Sequence, residues 1–163
     1  MKNIISIAAA LILGAASVFA TDNYEYGPDE YVTISNGISP DHKLAITAHG
    51  TGEMGDENFH LYLFDAAAEK KIGPLDEIDE VLDTGAGSFA AKWAKDSAQA
   101  TIVYRVDRHA PLKSITYRFT KGHAVSTTKK PVDVKDAALI KFWQDHCSDS
   151  KPSEKTFGTP KQH

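Results

Sequence analysis

Residues 39–49, with the sequence SPDHKLAITAH, predict β structure because they join a turn signal to a run of alternating side chains. Ser39-Pro40-Asp41 is typical of a reverse turn, since serine, proline and aspartate each favour turn conformations. In the residues that follow, Leu44, Ile46 and Ala48 share one face of an extended chain. This period of two predicts a β-strand and not a helix.

Similar runs rich in β-branched and aromatic residues lie on both sides of this stretch and predict a mainly β protein. Turn residues separate the runs: Asn36-Gly37 is predicted as a turn, and Asp107–Leu112 as a hairpin loop. The predicted strands are Tyr31–Ser35, Leu44–His49, Phe59–Phe64, Phe89–Trp93, Thr101–Val106 and Lys113–Phe119.

The two halves of this pattern are related by a shift of 55 residues, which places Asp41 on Asp96 and Ile38 on Trp93. Asp41 and Asp96 are identical, and three further identities fall in the strands: Ala45 on Ala100, Tyr62 on Tyr117 and Phe64 on Phe119. The matches predict an antiparallel sheet of two related units, Tyr31–Gly73 and Ser88–Thr127. Chance similarity is the alternative, and related units would also need a bulge or a one-residue shift between them.

The two turns resemble those of a known family. Residues 39–45, SPDHKLA, resemble the S-P-D-G-K-x-x-A turn that opens blades of TolB-type β-propellers, and residues 93–97, WAKDS, are similar to its W-S-x-D-G form. The resemblance implies two blade-like units. His42 and Ser97 replace the usual glycine, and a closed propeller needs about four to eight blades. A pair of blades with capped edges, or an oligomer, is what the resemblance implies here.

Residues 1–20 predict export from the cytoplasm. Lys2 is followed by the apolar run Ile4–Ala16, and Val18-Phe19-Ala20 places small residues where signal peptidase cleaves. A membrane anchor is the alternative, although polar residues follow Ala20 at once. Cleavage near Ala20 predicts a periplasmic or secreted protein whose mature part has no membrane span. Asn58–Leu63 and Tyr104–Lys113 also resemble stretches of small exported bacterial proteins of undefined function.

The mature chain is predicted to hold a single β-rich domain over residues 21–147. A C-terminal helix is expected over about residues 133–146, capped by Asp133 and docked through Val134, Ala138, Phe142 and Trp143. Residues 148–163 are polar and predict a flexible tail. Cys147 is either a buried apolar residue or a free thiol able to join two chains.

Composition excludes several classes of function. The chain has 163 residues, which fits one domain, and a formal net charge of −4, which gives no support for nucleic-acid binding. Its single cysteine excludes an internal disulfide framework and a multi-cysteine metal site. No cofactor is predicted.

One stretch suggests an enzyme. Residues 81–86, VLDTGA, match the signature of aspartic peptidases, in which an aspartate shares a proton with a second aspartate. Asp83 in the Asp83-Thr84-Gly85 turn would be the catalytic residue, and a second copy of the chain would supply its partner. The chain lacks a second Asp-Thr-Gly, and Asp-Thr-Gly is also an ordinary turn.

Two histidines form a candidate metal site. His49 and His60 would meet if their strands pair, and the loop between them carries Glu53, Asp56 and Glu57. The alternative is a solvated acidic loop beside two histidines that serve the sheet.

Four basic residues form the candidate binding surface: Arg105, Arg118, Arg108 and Lys113. Alternation places Arg105 and Arg118 on one face of neighbouring strands, and arginine suits carboxylates and phosphates. The predicted partner is an envelope protein or an anionic ligand, and the alternative is internal pairing with the acidic segment Asp76–Asp83. The sequence thus favours a non-catalytic, exported binding module.

Overall fold

Two four-stranded antiparallel meanders account for most of the β structure. The computed structural model describes residues 26–50, 60–78, 86–106, 109–147 and 155–159. The first meander contains β1 (Tyr31–Ile38), β2 (Leu44–His49), β3 (His60–Asp65) and β4 (Lys70–Pro74). The second contains β5 (Phe89–Trp93), β6 (Gln99–Tyr104), β7 (Lys113–Thr120) and β8 (His123–Ser126). The prediction of a mainly β fold is confirmed.

The two meanders join edge to edge through their first strands. β1 and β5 run parallel and pair at Ser35 and Ala90, which gives the strand order β4-β3-β2-β1-β5-β6-β7-β8. The result is one nearly closed, barrel-like sheet of ten strands, two of them short additions to this path. The sheet is therefore antiparallel everywhere along this path except at the junction.

The C-terminal part adds β9 (Val132–Asp133) beside β7, helix α1 (Ala137–His146) and β10 (Thr156–Phe157) beside β1. The predicted C-terminal helix is confirmed. Its cap lies three residues later than expected, because Asp136, and not Asp133, caps it by accepting the N–H of Ala138 at 2.8 Å.

Residues 155–159 differ from the predicted flexible tail. Thr33 and Lys155 exchange hydrogen bonds of 2.8 and 2.9 Å, in which the Thr33 hydroxyl both donates and accepts. Phe157 is only 1% exposed and stacks on Phe64, with ring centroids 4.8 Å apart. The apolar surface that Phe157 buries explains why so short a segment is ordered.

The core lies on the inner face of the sheet, where apolar side chains of both meanders meet. Its members include Ile34, Ile46, Leu61, Leu63, Phe89, Ile102, Tyr104, Ile115 and Tyr117. Phe89 stacks on Tyr104 at 5.1 Å. Burial raises the pKa of the Tyr117 hydroxyl well above its usual range.

Asn36-Gly37 does not form the predicted turn. Both residues lie within β1, where the register with β2 shifts between Thr33 and Ile38. Asn36 has φ of +53°. A side chain at Gly37 would place its Cβ 2.6 Å from the carbonyl oxygen of Ile46, so only glycine fits. The Asn-Gly signal therefore marks a β-bulge, which needs the same backbone freedom as a turn.

Candidate functional site

Two turns with the same hydrogen bonds meet where the meanders join. The N–H groups of His42 and Ser97 donate to the carbonyls of Ser39 and Ala94 at 2.8 and 3.0 Å. His42 and Ser97 have φ of +57° and +60°, the left-handed conformation for which glycine is usually selected. His42 and Ser97 thus adopt the left-handed conformation although neither is a glycine. The resemblance of these turns to those of β-propellers stays a prediction.

Asn36 forms hydrogen bonds between the two meanders. We call the β1–β5 junction, together with the turns at Ser39–His42 and Ala94–Ser97, the seam. The Asn36 amide donates to the carbonyl of Ala91 at 2.7 Å, and the Trp93 indole N–H donates to the carbonyl of Asn36 at 3.1 Å. At the turns, the N–H of Asp41 donates to the Ser97 hydroxyl at 3.1 Å. The seam therefore depends on side chains from both meanders as well as on strand pairing.

The carboxylate of Asp41 is held inside its own turn. It accepts the Ser39 hydroxyl at 2.7 Å and the N–H of Lys43 at 3.2 Å, and the Lys43 ammonium lies 3.6 Å away. The hydrogen bond from Ser39, followed by that from Lys43, lowers the pKa of the Asp41 carboxyl below its usual range. Its charge is thus directed at the turn.

An open cleft of about 430 Å³ lies beside the seam. Residues of β1, the first turn, β5 and α1 line it: Asn36, Ile38, Ser39, Pro40, His42, Lys92, Trp93 and Phe142. The volume falls in the range of about 300–1,000 Å³ that is typical of small-molecule sites. Because its walls come from both meanders and from the helix, the cleft exists only in the assembled fold.

The chemistry of this cleft is apolar with a basic rim. Ile38, Pro40, Trp93 and Phe142 supply the apolar surface. Lys92 places its ammonium 5.9 Å from the centre of the Phe142 ring, and His42, an exposed residue of the first turn, also lines the cleft. None of the eight lining residues is acidic.

The predicted arginine surface is divided. Arg118 lies opposite Gln99 in the sheet, and Arg105 lies six residues further along the chain than Gln99. At about 3.3 Å per residue, the two arginines stand about 20 Å apart at opposite ends of this face. Lys113, paired with Tyr104, lies near the Arg105 end, and Arg108 lies outside the described residues.

Helix α1 covers the Arg105 end of the same face. The guanidinium of Arg105 lies 4.7 Å from the centre of the Trp143 ring, a cation–π contact. The Trp143 indole donates to the carbonyl of Ser88 at 3.0 Å. Of the four predicted docking residues, Ala138 is exposed and Val134 precedes the helix. The helix docks through the other two, Phe142 and Trp143, so the prediction holds for half of the set.

His49 and His60 are direct neighbours on β2 and β3, as the candidate metal site requires. His49 is nevertheless used by the fold: its Nδ1 donates to the carbonyl of Glu30 at 2.6 Å, and its ring stacks on Tyr31 at 4.6 Å. Within the described ranges, no three His, Cys, Asp or Glu side chains are grouped to hold a metal ion. The geometry therefore favours a structural role for His49.

An aromatic surface continues from His49 across β3 and β4. Tyr31 and Tyr62 lie edge to face at 5.2 Å, and the Lys71 ammonium contacts both rings at 5.0 and 5.3 Å. The Tyr31 hydroxyl lies 2.8 Å from this ammonium, and this hydrogen bond raises the pKa of Lys71. Burial raises the pKa of Tyr62. These contacts stabilise the outer face of the first meander.

Other sequence predictions fall partly outside the described residues. Asp83, Thr84 and Gly85 lie there, as do residues 1–25 with the predicted signal peptide. Cys147 is half-buried, and its N–H donates to the carbonyl of Trp143 at 2.7 Å. Across the described parts of the chain, no helix has the length and apolar character needed to cross a membrane.

The cleft was not predicted from the sequence, although one signal pointed to it. The 55-residue shift places Ile38 on Trp93, and each of the two precedes one of the matched turns. Ile38 and Trp93 both line the cleft beside the place where β1 and β5 pair. The contribution of Phe142 has no such local signal, because it depends on where α1 docks.

Comparison with known proteins adds no assignment. No protein-family model matches the chain, and no curated protein or solved structure shows significant similarity to it.

Proposed function

We propose that this protein is an exported, non-catalytic binding module that takes a small ligand into the cleft at the seam. The observation that supports this most directly is the cleft itself, which combines apolar walls, a basic rim and a size suited to a small molecule. The sequence signal over residues 1–20 supports export to the periplasm or the medium.

The binding site in this proposal is not the predicted arginine surface. Arg105 is engaged by Trp143, and Arg118 stands at the far end of the sheet face. Lys92 and His42, by contrast, line one cavity together with Trp93 and Phe142. A concave site with a few polar groups fits ligand binding better than separated charges on a flat face.

A fragment screen on the uniformly ¹⁵N-labelled protein tests the binding proposal. We expect at least one fragment to shift the amide signals of Ile38, His42 and Lys92 while leaving those of His123–Ser126 on β8 unchanged. Trp93→Leu should weaken that fragment, whereas Val125→Ala on exposed β8 serves as a matched control. A screen in which no fragment moves the cleft signals would contradict the proposal.

Cell fractionation tests the export proposal separately. A chain with a C-terminal tag is expected outside the cytoplasm with its N-terminus near Thr21, as read by N-terminal sequencing. Retention of the full-length chain in the cytoplasm would overturn this part.

A further inference from the structure

We infer that the cleft selects a small carboxylate with an aromatic or branched apolar body, an inference that rests on the proposed binding function. The apolar body would pack against Trp93, Phe142 and Ile38, and the carboxylate would meet Lys92 and His42. This assignment names the ligand class of the site, and four observations lead to it.

The first observation is that several neutral polar groups of the cleft already form hydrogen bonds within the fold. The Ser39 hydroxyl donates to Asp41 and accepts the N–H of Leu44 at 2.9 Å. The Asn36 amide N–H is donated to Ala91 and the Trp93 N–H to Asn36. The cleft therefore offers few neutral hydrogen-bond donors to a ligand, so it is poorly suited to uncharged polar molecules such as sugars.

The second observation concerns the two basic side chains. Neither the Lys92 ammonium nor the His42 imidazole forms an ion pair with any residue in the described parts of the chain. Both side chains belong to exposed residues on the rim of the cleft. No described acid neutralises either group, and the Lys92 ammonium, which also lies against the Phe142 ring, stays exposed to an incoming anion.

The third observation is that none of the eight described lining residues is acidic, in a chain whose formal net charge is −4. The nearest acid in sequence, Asp41, is turned toward Ser39, Lys43 and the Ser97 hydroxyl. The local charge of the cleft is thus opposite in sign to that of the whole protein. A positively charged ligand would be disfavoured.

The fourth observation is size. A cleft of about 430 Å³ with an open mouth holds a molecule with one ring or one branched chain, and not a long polymer segment. Phe142 of α1 and the apolar residues Ile38 and Pro40 form part of its wall, and an aromatic surface favours a planar apolar group.

Three matched probes test the inference by isothermal titration: 3-phenylpropionate, its neutral amide, and the cation 3-phenylpropylamine. We expect the carboxylate to bind about two- to fivefold more tightly than the amide, since a solvent-exposed ion pair contributes only a modest free energy. The advantage should shrink as salt is raised, because both basic groups are exposed.

Two variants locate the charge recognition. Lys92→Gln should remove most of the carboxylate's advantage, and His42→Asn, which tolerates the left-handed backbone, should reduce it. Lys95→Gln is the control, because Lys95 is an exposed lysine nearby in sequence that does not line the cleft.

The outcomes separate this inference from the proposed function. Equal affinity for all three probes, or preference for the cation, would overturn the carboxylate assignment and leave a binding module in place. A carboxylate advantage that survives Lys92→Gln would overturn it as well. No binding by any probe would overturn it too, and the fragment screen then decides whether the binding function also falls.

Discussion

The outer faces of the two meanders are covered in different ways. In the first, strand β10 pairs beside β1 at the sheet edge, and its Phe157, which is 1% exposed, stacks on Phe64. Helix α1 covers part of the second, and none of its residues is fully buried. Two adjacent C-terminal segments thus perform the same task with unequal burial.

The two segments differ in how much of their backbone takes part in contacts with the sheet. β10 shares strand pairing with β1, and Gly158 just after it has φ of +80° and approaches Asp29 so closely that no Cβ would fit. α1 is held by side chains such as Trp143 and Phe142. Less burial means a smaller free energy of local opening, so we expect the cover that borders the cleft to be the more mobile one.

The largest effect is expected at Phe157. Phe157→Ala should lower the free energy of unfolding by about 3–5 kcal/mol, because it empties a fully buried aromatic site. Urea denaturation measures the loss, and Thr159→Ala, at an exposed position two residues away, should change little. If both variants unfold at the same urea concentration, β10 does not contribute to stability and the contrast between the covers fails.

At the seam, Asn36→Ala should cost about 2–3 kcal/mol. It removes the hydrogen bond to Ala91 and forces alanine into a left-handed conformation. Asn36→Gly keeps the conformation available and should cost about 1 kcal/mol. Hydrogen exchange should show both meanders losing protection together, whereas loss confined to one of them would mean that the two fold independently.

Trp143→Ala should destabilise the protein by only about 1–2 kcal/mol, because Trp143 is half-buried. The same variant should open α1, so hydrogen exchange within residues 137–146 should rise well before that of β10. Gln144→Ala, on the exposed side of the helix, is the control. A loss as large as that of Phe157→Ala would remove the proposed inequality between the two covers.

The smallest effect concerns pH. Because folding lowers the pKa of Asp41, its charge stabilises the fold above the unfolded pKa, and this contribution is lost as pH falls through the folded pKa. Asp41→Asn should therefore flatten the fall in urea midpoint in acid, measured between about pH 3 and pH 7. Asp133→Asn on exposed β9 is the comparison, and equal pH profiles for Asp41→Asn and the unaltered protein would contradict the expectation.

Local pattern predicted the strands well and their arrangement less well. Leu44–His49 and Phe89–Trp93 have the predicted bounds, because alternation and apolar content are properties of the segment itself. The parallel pairing of Ser35 with Ala90 joins segments 55 residues apart, and the local pattern of neither segment predicts that the two strands pair.

Ambiguous signals account for the other differences. Asn-Gly permits a left-handed residue in a turn or in a bulge, and the surrounding β1 pairing selects the bulge. Asp133 and Asp136 are both good helix caps, and Asp133 is used in β9. The cleft draws residues from β1, a turn, β5 and α1, so its composition follows from tertiary packing and not from any motif.

The pairing of β1 with β10 has a consequence for the order in which the chain folds. Tyr31 and Val32 pair with Phe157 and Thr156, so one of the first strands to be synthesised is completed by one of the last segments. Until those residues arrive, part of the β1 edge offers unpaired backbone groups to any neighbouring strand. Contacts of such long sequence separation also slow folding. A truncated or stalled chain that ends before Lys155 is therefore expected to aggregate through this edge, whereas the completed chain closes it with its own residues.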